Sequence, residues 1–216
     1  MEFRLLYTGK LYGSGSSNKH PEVKHQIRRE LHPQLRQLWK SDHNLDEWAR
    51  RQVTGQVVDK MRGSGQNFDT FTNEDWRQLG LKTLSEKWER CGYKFVPLVT
   101  EEMFLRCSLD ILLLRPEERR LVMLSGDLDA RVKTIFDALR IPNHLDEAAG
   151  QGPQNDETPF YCLLSDDKLI SGLSVNTGKL LTLPKERDVN QNDAFVVVHV
   201  KLQPTPQKFQ FGYLFE

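Results

Sequence analysis

The stretch Gly126–Leu139, G-D-L-D-A-R-V-K-T-I-F-D-A-L, places charged residues at the start of an amphipathic helix. Its apolar residues are spaced i, i+3, i+4 and i+7, which puts them on one helix face: Val132, Ile135, Phe136 and Leu139. Asp129, Lys133 and Asp137 follow one another four residues apart on the adjoining face. The pattern therefore predicts a helix that buries one face and carries carboxylates and an ammonium beside it.

Two interpretations fit these charges. Asp127 and Asp129 lie where a helix opens, and carboxylates are stabilised there by unpaired backbone N–H groups and the helix dipole, with Lys133 as an i+4 partner on a solvated face. A second acidic pair, Asp166–Asp167, favours a different interpretation. Mg²⁺ is bound through carboxylate oxygens and needs no cysteine or histidine, so convergence of the two pairs would create a metal site.

Composition narrows the class of protein. The chain has 216 residues, and its 30 Lys+Arg balance its 30 Asp+Glu, as in an ordinary globular protein that we expect to form one domain over residues 1–216. No apolar run is long enough to cross a bilayer, so we expect no membrane association. Three scattered cysteines are typical of reduced thiols, which favours a cytoplasmic protein. No zinc or serine-nucleophile motif is present.

Positive charge is concentrated between Lys19 and Lys40, a stretch that contains six Lys/Arg and only two acidic residues. Such an excess can follow a phosphate backbone, although solvated helix faces are also often charged. The predicted nucleic-acid-binding residues are five of these six, without Lys19, together with the arginine of the aspartate helix: Lys24, Arg28, Arg29, Arg36, Lys40 and Arg131.

The remaining pattern predicts an α+β fold, a small mixed β-sheet with helices packed on it, enlarged by a helical insertion at about 42–90. Strands are predicted at 1–11, 93–99, 104–114, 169–175, 194–202 and 209–215, with the second and third forming a hairpin and Pro97 at a sheet edge. Thr158–Pro159 predicts the start of a short helix, and Asp166–Asp167 lie at its end. Asn44/Glu47 and Thr72/Asp75 have capping-box spacing, and the insertion's tryptophans are expected to serve packing.

The segment Gly126–Leu139 and the later run S-D-D-K-L at 165–169 resemble the core motif of RusA-type Holliday junction resolvases. That motif reads D-x-D-N-x-x-K, then D-A-L, then an Asp-Asp pair before a strand. The resemblance covers the stretch from the strand at 104 to the strand at 202 and matches the first part of the chain only loosely. Family members are small dimeric endonucleases that use Mg²⁺ to nick four-way DNA junctions.

The resemblance implies roles for individual residues. Asp127, Asp129, Lys133 and Asp167 would be the catalytic residues, and Asp127, Asp129, Asp166 and Asp167 the metal ligands, with Asp137 as a helix acid pairing with Lys133 or Arg140. It also implies Mg²⁺ as cofactor, with Mn²⁺ as a possible substitute, branched DNA as substrate, and a homodimer that presents two equivalent sites.

The sequence departs from the family at Ala130, where the motif has Asn, and in its extra length. Two alternatives therefore stay open. One is a non-catalytic branched-nucleic-acid-binding or regulatory protein with the same fold, and the other is an interaction protein whose acidic cluster is a solvated face and whose aromatic end, Phe209–Phe215, is a docking strand.

Overall fold

The computed structural model describes residues 1–13, 20–116, 127–181 and 192–205, with Asp127 described by its backbone alone. Its fold is α+β, as predicted. The helices are α1 Pro21–Ser41, α2 His43–Arg51, α3 Gly55–Gly63, α4 Asn73–Lys87 and α5 Asp127–Leu139. The strands are β1 Glu2–Lys10, β2 Glu89–Arg90, β3 Tyr93–Val99, β4 Leu105–Arg115, β5 Phe160–Leu164, β6 Ile170–Lys179 and β7 Asp193–Pro204, with 3₁₀ turns at Leu145–Ala148 and Asp167–Leu169.

A four-stranded sheet with the order β1-β7-β4-β6 carries the main core. β7 is antiparallel to β1 and β4, whereas β6 is parallel to β4. Alternate residues of β4 are buried, from Leu105 to Leu113, and the residues between them are more accessible. One face of this sheet thus covers the core, as expected for a strand with period-2 alternation. The strands predicted at 1–11, 169–175 and 194–202 are confirmed, and the one at 209–215 lies outside the described residues.

A second sheet has the order β2-β3-β5, and its geometry corrects two predictions. β3 pairs with β5 in parallel, so β3 and β4 belong to different sheets and form no hairpin. Residues 160–164, predicted as a helix, are a strand because all five are buried, and a short apolar run buried on both faces suits a parallel strand. Beyond Lys94, β3 has β5 as its one strand neighbour among the described residues, which agrees with the edge position of Pro97.

Helix α1 packs against β1 of the first sheet and β5 of the second, and it continues through Pro33 without a break. Its buried apolar face runs from Val23 to Trp39. On its flank, the side-chain amide of Gln34 accepts a hydrogen bond from the N–H of Leu6 at 2.9 Å and donates one to the carbonyl of the same residue at 2.7 Å. At Leu6, α1 thus supplies the hydrogen bonds that a further strand would otherwise give to the β1 edge.

The predicted insertion consists of α2, α3 and α4. Thr72 and Asp75 form the predicted capping box, but α2 is capped by Asp42, whose side chain accepts from the N–H of Leu45, and not by Asn44. Gly80 of α4 lies against α2, where a Cβ on it would be 1.8 Å from the carbonyl oxygen of Ala49. The tryptophans pack as predicted: Trp48 and Trp88 lie against the core, and Trp76 stacks on Phe68. Within the described ranges, no helix has the length and apolar character needed to cross a membrane.

Candidate functional site

Helix α5 begins at Asp127. Of its predicted apolar face, Ile135 and Leu139 are buried and Val132 and Phe136 are half-buried. Asp129 and Lys133, one turn apart, are both exposed. Neither has an ion pair with another residue of the described ranges. A solvent-facing carboxylate and ammonium at the start of this helix therefore remain available to a ligand.

Asp137, the third charge on the same stretch, has a different environment. It is buried, and its carboxylate accepts a hydrogen bond from the Lys24 ammonium at 2.7 Å and from the Arg140 guanidinium at 3.2 Å. Of the two partners expected for this acid, Arg140 is confirmed and Lys133 is not. Asp137 therefore joins α5 to α1 and does not extend the exposed charged surface.

The second acidic pair follows strand β5. Asp166 caps the 3₁₀ turn Asp167–Leu169, its carboxylate accepting from the N–H of Lys168 at 3.0 Å. The Asp167 side chain is 54% exposed and its carboxylate lies 3.9 Å from the Arg140 guanidinium. Because Arg140 directly follows α5, Asp167 lies near the end of that helix. Asp129 lies in its first turn, and the helix rises roughly 16 Å between residues 129 and 140 at 1.5 Å per residue.

The donor atoms suit a hard cation, but the described side chains do not assemble a site by themselves. Across the described part of the chain, no three His, Cys, Asp or Glu residues lie close enough to hold a metal ion. Asp129, Asp166 and Asp167 belong to that part and so do not form such a group alone. The side chain of Asp127 lies outside the description, so the predicted set of four carboxylates has one untested member.

Three of the predicted nucleic-acid-binding residues are wrong for this structure, because they are buried. Lys24, Arg28 and Arg131 are 3%, 2% and 3% exposed. Lys24 pairs with Asp137, and the Arg28 guanidinium donates to the backbone carbonyls of Asp137, Glu147 and Arg140 at 2.5, 2.5 and 3.4 Å. Arg28 thereby satisfies carbonyls left open at the end of α5.

Burial also alters the proton affinity of Arg28. Loss of solvation, with the neighbouring Arg140 charge, lowers its pKa to about 10, against the opposing effect of Glu147 and Asp137. The guanidinium still carries its charge at neutral pH. It is a structural cation of the interface between α1 and α5.

The other three predicted cations are accessible to different extents. Arg29 is half-buried and donates to the carboxylate of Glu157 at 2.7 Å. Arg36 and Lys40 are exposed, and within the described ranges neither has an ion pair. Both line a cavity of about 380 Å³ between α1, α4 and residues 156–161, which we call the α1–α4 cleft.

Sequence reasoning missed the opposite wall of this cleft. Arg77 of α4 lines it and makes a two-pronged hydrogen bond to Glu74, at 2.8 and 2.5 Å, while Tyr161 of β5 lines it from a third side. The i, i+3 spacing of Glu74 and Arg77 was a usable signal for their pairing. Nothing in the sequence indicated that α4 would face α1.

The charges of the cleft influence one another. Hydrogen bonds from Arg77 and Gln78 lower the pKa of Glu74 to about 2, so this carboxylate is committed to its neighbours. Burial raises the pKa of the Tyr161 phenol, opposed by the nearby Arg77 and Arg36 charges. Tyr161 is thus a neutral hydroxyl within electrostatic range of two guanidinium groups.

Comparison with known proteins gives no family assignment: no protein-family model, no curated protein and no solved structure matches the chain. The resemblance to RusA-type resolvases consequently rests on the residues of α5 and of the 165–169 run.

Proposed function

We propose that the protein is a Mg²⁺-dependent endonuclease that nicks branched DNA. The observation that supports this most is the exposure of Asp129 and Lys133, one turn apart at the start of α5. Each of these residues occupies a position of the resolvase motif. The neighbouring Asp137, by contrast, is used in the interior, so exposure separates the proposed catalytic residues from a structural acid.

In this proposal Asp127 and Asp129, at the start of α5, hold Mg²⁺, or Mn²⁺ in its place, together with phosphate oxygens and water. Asp166 and Asp167, which the resemblance also implied as ligands, lie near the other end of that helix and do not bind the same ion. The bound ion would supply an activated water and neutralise charge that develops on the phosphate. Lys133 would hold a phosphate oxygen by charge, and the exposed Arg36 and Lys40 would contact the DNA backbone. A four-way junction has two equivalent strands to cut, so the proposal includes a homodimer.

The decisive experiment compares four DNA substrates, a four-way junction, a fork, a flap and a duplex, with Mg²⁺, Mn²⁺ or EDTA. We expect nicking of the junction with either metal and none with EDTA. Asp129→Asn should abolish nicking and leave junction binding intact, because it removes a metal ligand and keeps the side-chain shape.

Asp59→Asn is the matched control, since Asp59 is an exposed helical aspartate on α3, a helix with no buried residue. It should nick like the unmodified chain. Equal nicking by Asp129→Asn and Asp59→Asn would contradict the proposal.

A non-catalytic protein that binds branched nucleic acid is the second candidate. It is favoured by the lack of a three-residue metal group among the described side chains and by Ala130, which stands where the motif has Asn. Junction binding at low salt without strand scission in any metal would support this candidate and exclude the first.

A further inference from the structure

The α1–α4 cleft has the size of a ligand site and is lined by two exposed cations, Arg36 and Lys40. Its volume of about 380 Å³ is at the lower end of the range for small-molecule sites, about 300–1,000 Å³. Arg36 and Lys40 are one helical turn apart on α1, so both side chains can address one ligand. In the described part of the chain their charges have no carboxylate partner within salt-bridge distance.

Arg77 faces them from α4 and is only 6% exposed. Its Nε and one terminal nitrogen are occupied by Glu74, and Asp46 lies 3.7 Å from Nε. Nη1, its other terminal nitrogen, makes no hydrogen bond to another described residue. Glu74 and Asp46 therefore fix the guanidinium in place while leaving one donor for a ligand, which is the usual way to preorganise an anion-binding arginine.

The third side of the cleft is held rigidly. The Nδ1 atom of His32 accepts from the N–H of Tyr161 at 2.9 Å, and its Nε2 contacts the carbonyl oxygen of Asp156 at 3.1 Å. One buried imidazole thus fixes both the tyrosine and the loop before it. Two carboxylates also line the cleft, Glu74 and Asp156, but Glu74 is neutralised by Arg77.

We propose that the α1–α4 cleft binds a phosphate monoester of nucleotide size, with Arg36, Lys40 and Arg77 holding the phosphate and Tyr161 supplying a hydroxyl contact. Guanidinium groups match the geometry of phosphate oxygens. The charges of Arg36 and Lys40, unpaired within the described ranges, with one further hydrogen-bond donor from Arg77, suit a dianionic terminal phosphate better than the single charge of a backbone diester. The phosphate can come from a free nucleotide or from the 5′ end of a DNA strand. This inference does not depend on nuclease activity.

The test is calorimetric titration of the full chain in EDTA, so that metal-dependent cleavage plays no part. The probes are dAMP, deoxyadenosine, and one oligonucleotide with either a 5′-phosphate or a 5′-hydroxyl. We expect saturable binding of dAMP at one site per chain and at least tenfold weaker binding of deoxyadenosine. A 5′-phosphorylated oligonucleotide that binds tighter than dAMP identifies a strand end as the ligand, whereas the reverse order identifies a free nucleotide.

Arg36→Gln/Lys40→Gln should weaken dAMP binding at least tenfold. The matched control is Lys60→Gln/Lys82→Gln, which removes the same charge from two exposed lysines on α3 and α4 and should leave binding unchanged. If both double variants lost the same affinity for dAMP, net charge alone would account for the binding, and the proposal would be overturned. Equal affinity for dAMP and deoxyadenosine, or no binding of any phosphorylated probe, would overturn it as well.

Discussion

The two halves of α1 carry the same kinds of residue and use them in opposite ways. In the first half, Lys24 and Arg28 are buried and bound to the end of α5. In the second half, Arg36 and Lys40 are exposed along the α1–α4 cleft and have no ion pair in the described ranges. The first pair holds the fold together, and the second is available to a ligand.

The difference shows what decides the role of a cation on a helix. Lys24 is buried because Asp137, 113 residues later, comes to lie against it. A buried charge persists only where an opposite charge and hydrogen bonds replace its water, and the sequence around the lysine does not say whether such a partner exists. Charge along a helix therefore predicts polarity, and its function has to be derived from tertiary contacts.

The contrast is tested most strongly by making the same substitution in each half. Lys24→Met leaves Asp137 buried with Arg140 as its remaining cation, and should lower the free energy of unfolding by about 3–5 kcal/mol. Lys40→Met removes an exposed charge and should change it by less than about 0.5 kcal/mol. Urea unfolding monitored by circular dichroism measures both.

The double variant Lys24→Met/Asp137→Leu separates the lost pair from lost packing. Because it removes both charges, it should regain much of the stability that Lys24→Met loses. If Lys24→Met and Lys40→Met were equally stable, the buried pair would have no structural role.

A smaller effect should appear with pH, because the first half of α1 also contains buried histidines. Burial, with the Arg29 and Arg28 charges, lowers the pKa of His25 to about 4, and burial lowers that of His32. Between pH 6.5 and about 4, His25 is protonated in the unfolded chain but stays neutral in the native chain. The free energy of unfolding should therefore fall as the pH falls through this range, by about 3 kcal/mol for His25.

Urea midpoints at intervals from pH 7 to pH 4.5 would measure this slope, and stopping there avoids the titration of most carboxylates. His25→Phe keeps an aromatic ring beside Tyr93 and Phe160 and should flatten the slope. The control His144→Gln replaces an exposed histidine and should not. An unchanged slope in His25→Phe would place the acid sensitivity elsewhere.

The position of α4, which faces α1 across the α1–α4 cleft, depends on the close approach of its backbone to α2 at Gly80. Gly80→Ala places a Cβ against the carbonyl oxygen of Ala49 and forces α4 away from α2, so it should lower the free energy of unfolding by about 1–3 kcal/mol. Gly63→Ala in α3 meets no atom within 4 Å and should be neutral or slightly stabilising, since alanine favours helix. Thermal unfolding of both variants makes the comparison, and a harmless Gly80→Ala would show that the two helices can separate freely.

The sequence predicted the elements whose signal is local. The start of α5 at Asp127, the capping box at Thr72 and the alternation along β4 depend on neighbours within a few residues. Segment 160–164 was predicted as a helix because Thr158–Pro159 resembles a helix start, but parallel pairing with β3 prevailed. Pairing between strands that are distant in sequence overrode the local signal. For the same reason β3 and β4, which were expected to form a hairpin, belong to different sheets.

For the site, the sequence identified residue types correctly but could not tell exposed from buried ones. Asp129 and Asp137 lie on the same stretch with the same spacing to Lys133, yet only Asp129 faces solvent. Arg77 and Tyr161 were missed because their proximity to Arg36 arises from the packing of α4 and β5 around α1. A cleft assembled from three distant segments leaves no periodic pattern in the sequence.

The amide of Gln34 has a consequence for self-association. It occupies the β1 edge of the four-stranded sheet, whereas β6, at the other edge, has one strand neighbour among the described residues and carries no charged side chain before Lys179. If the proposed homodimer forms by strand addition, β6 is therefore the edge of this sheet at which the second chain would pair. Two chains paired at β6 would have their β1 strands outermost in the joined sheet, and the Gln34 contact at Leu6 would oppose the pairing of a third chain there.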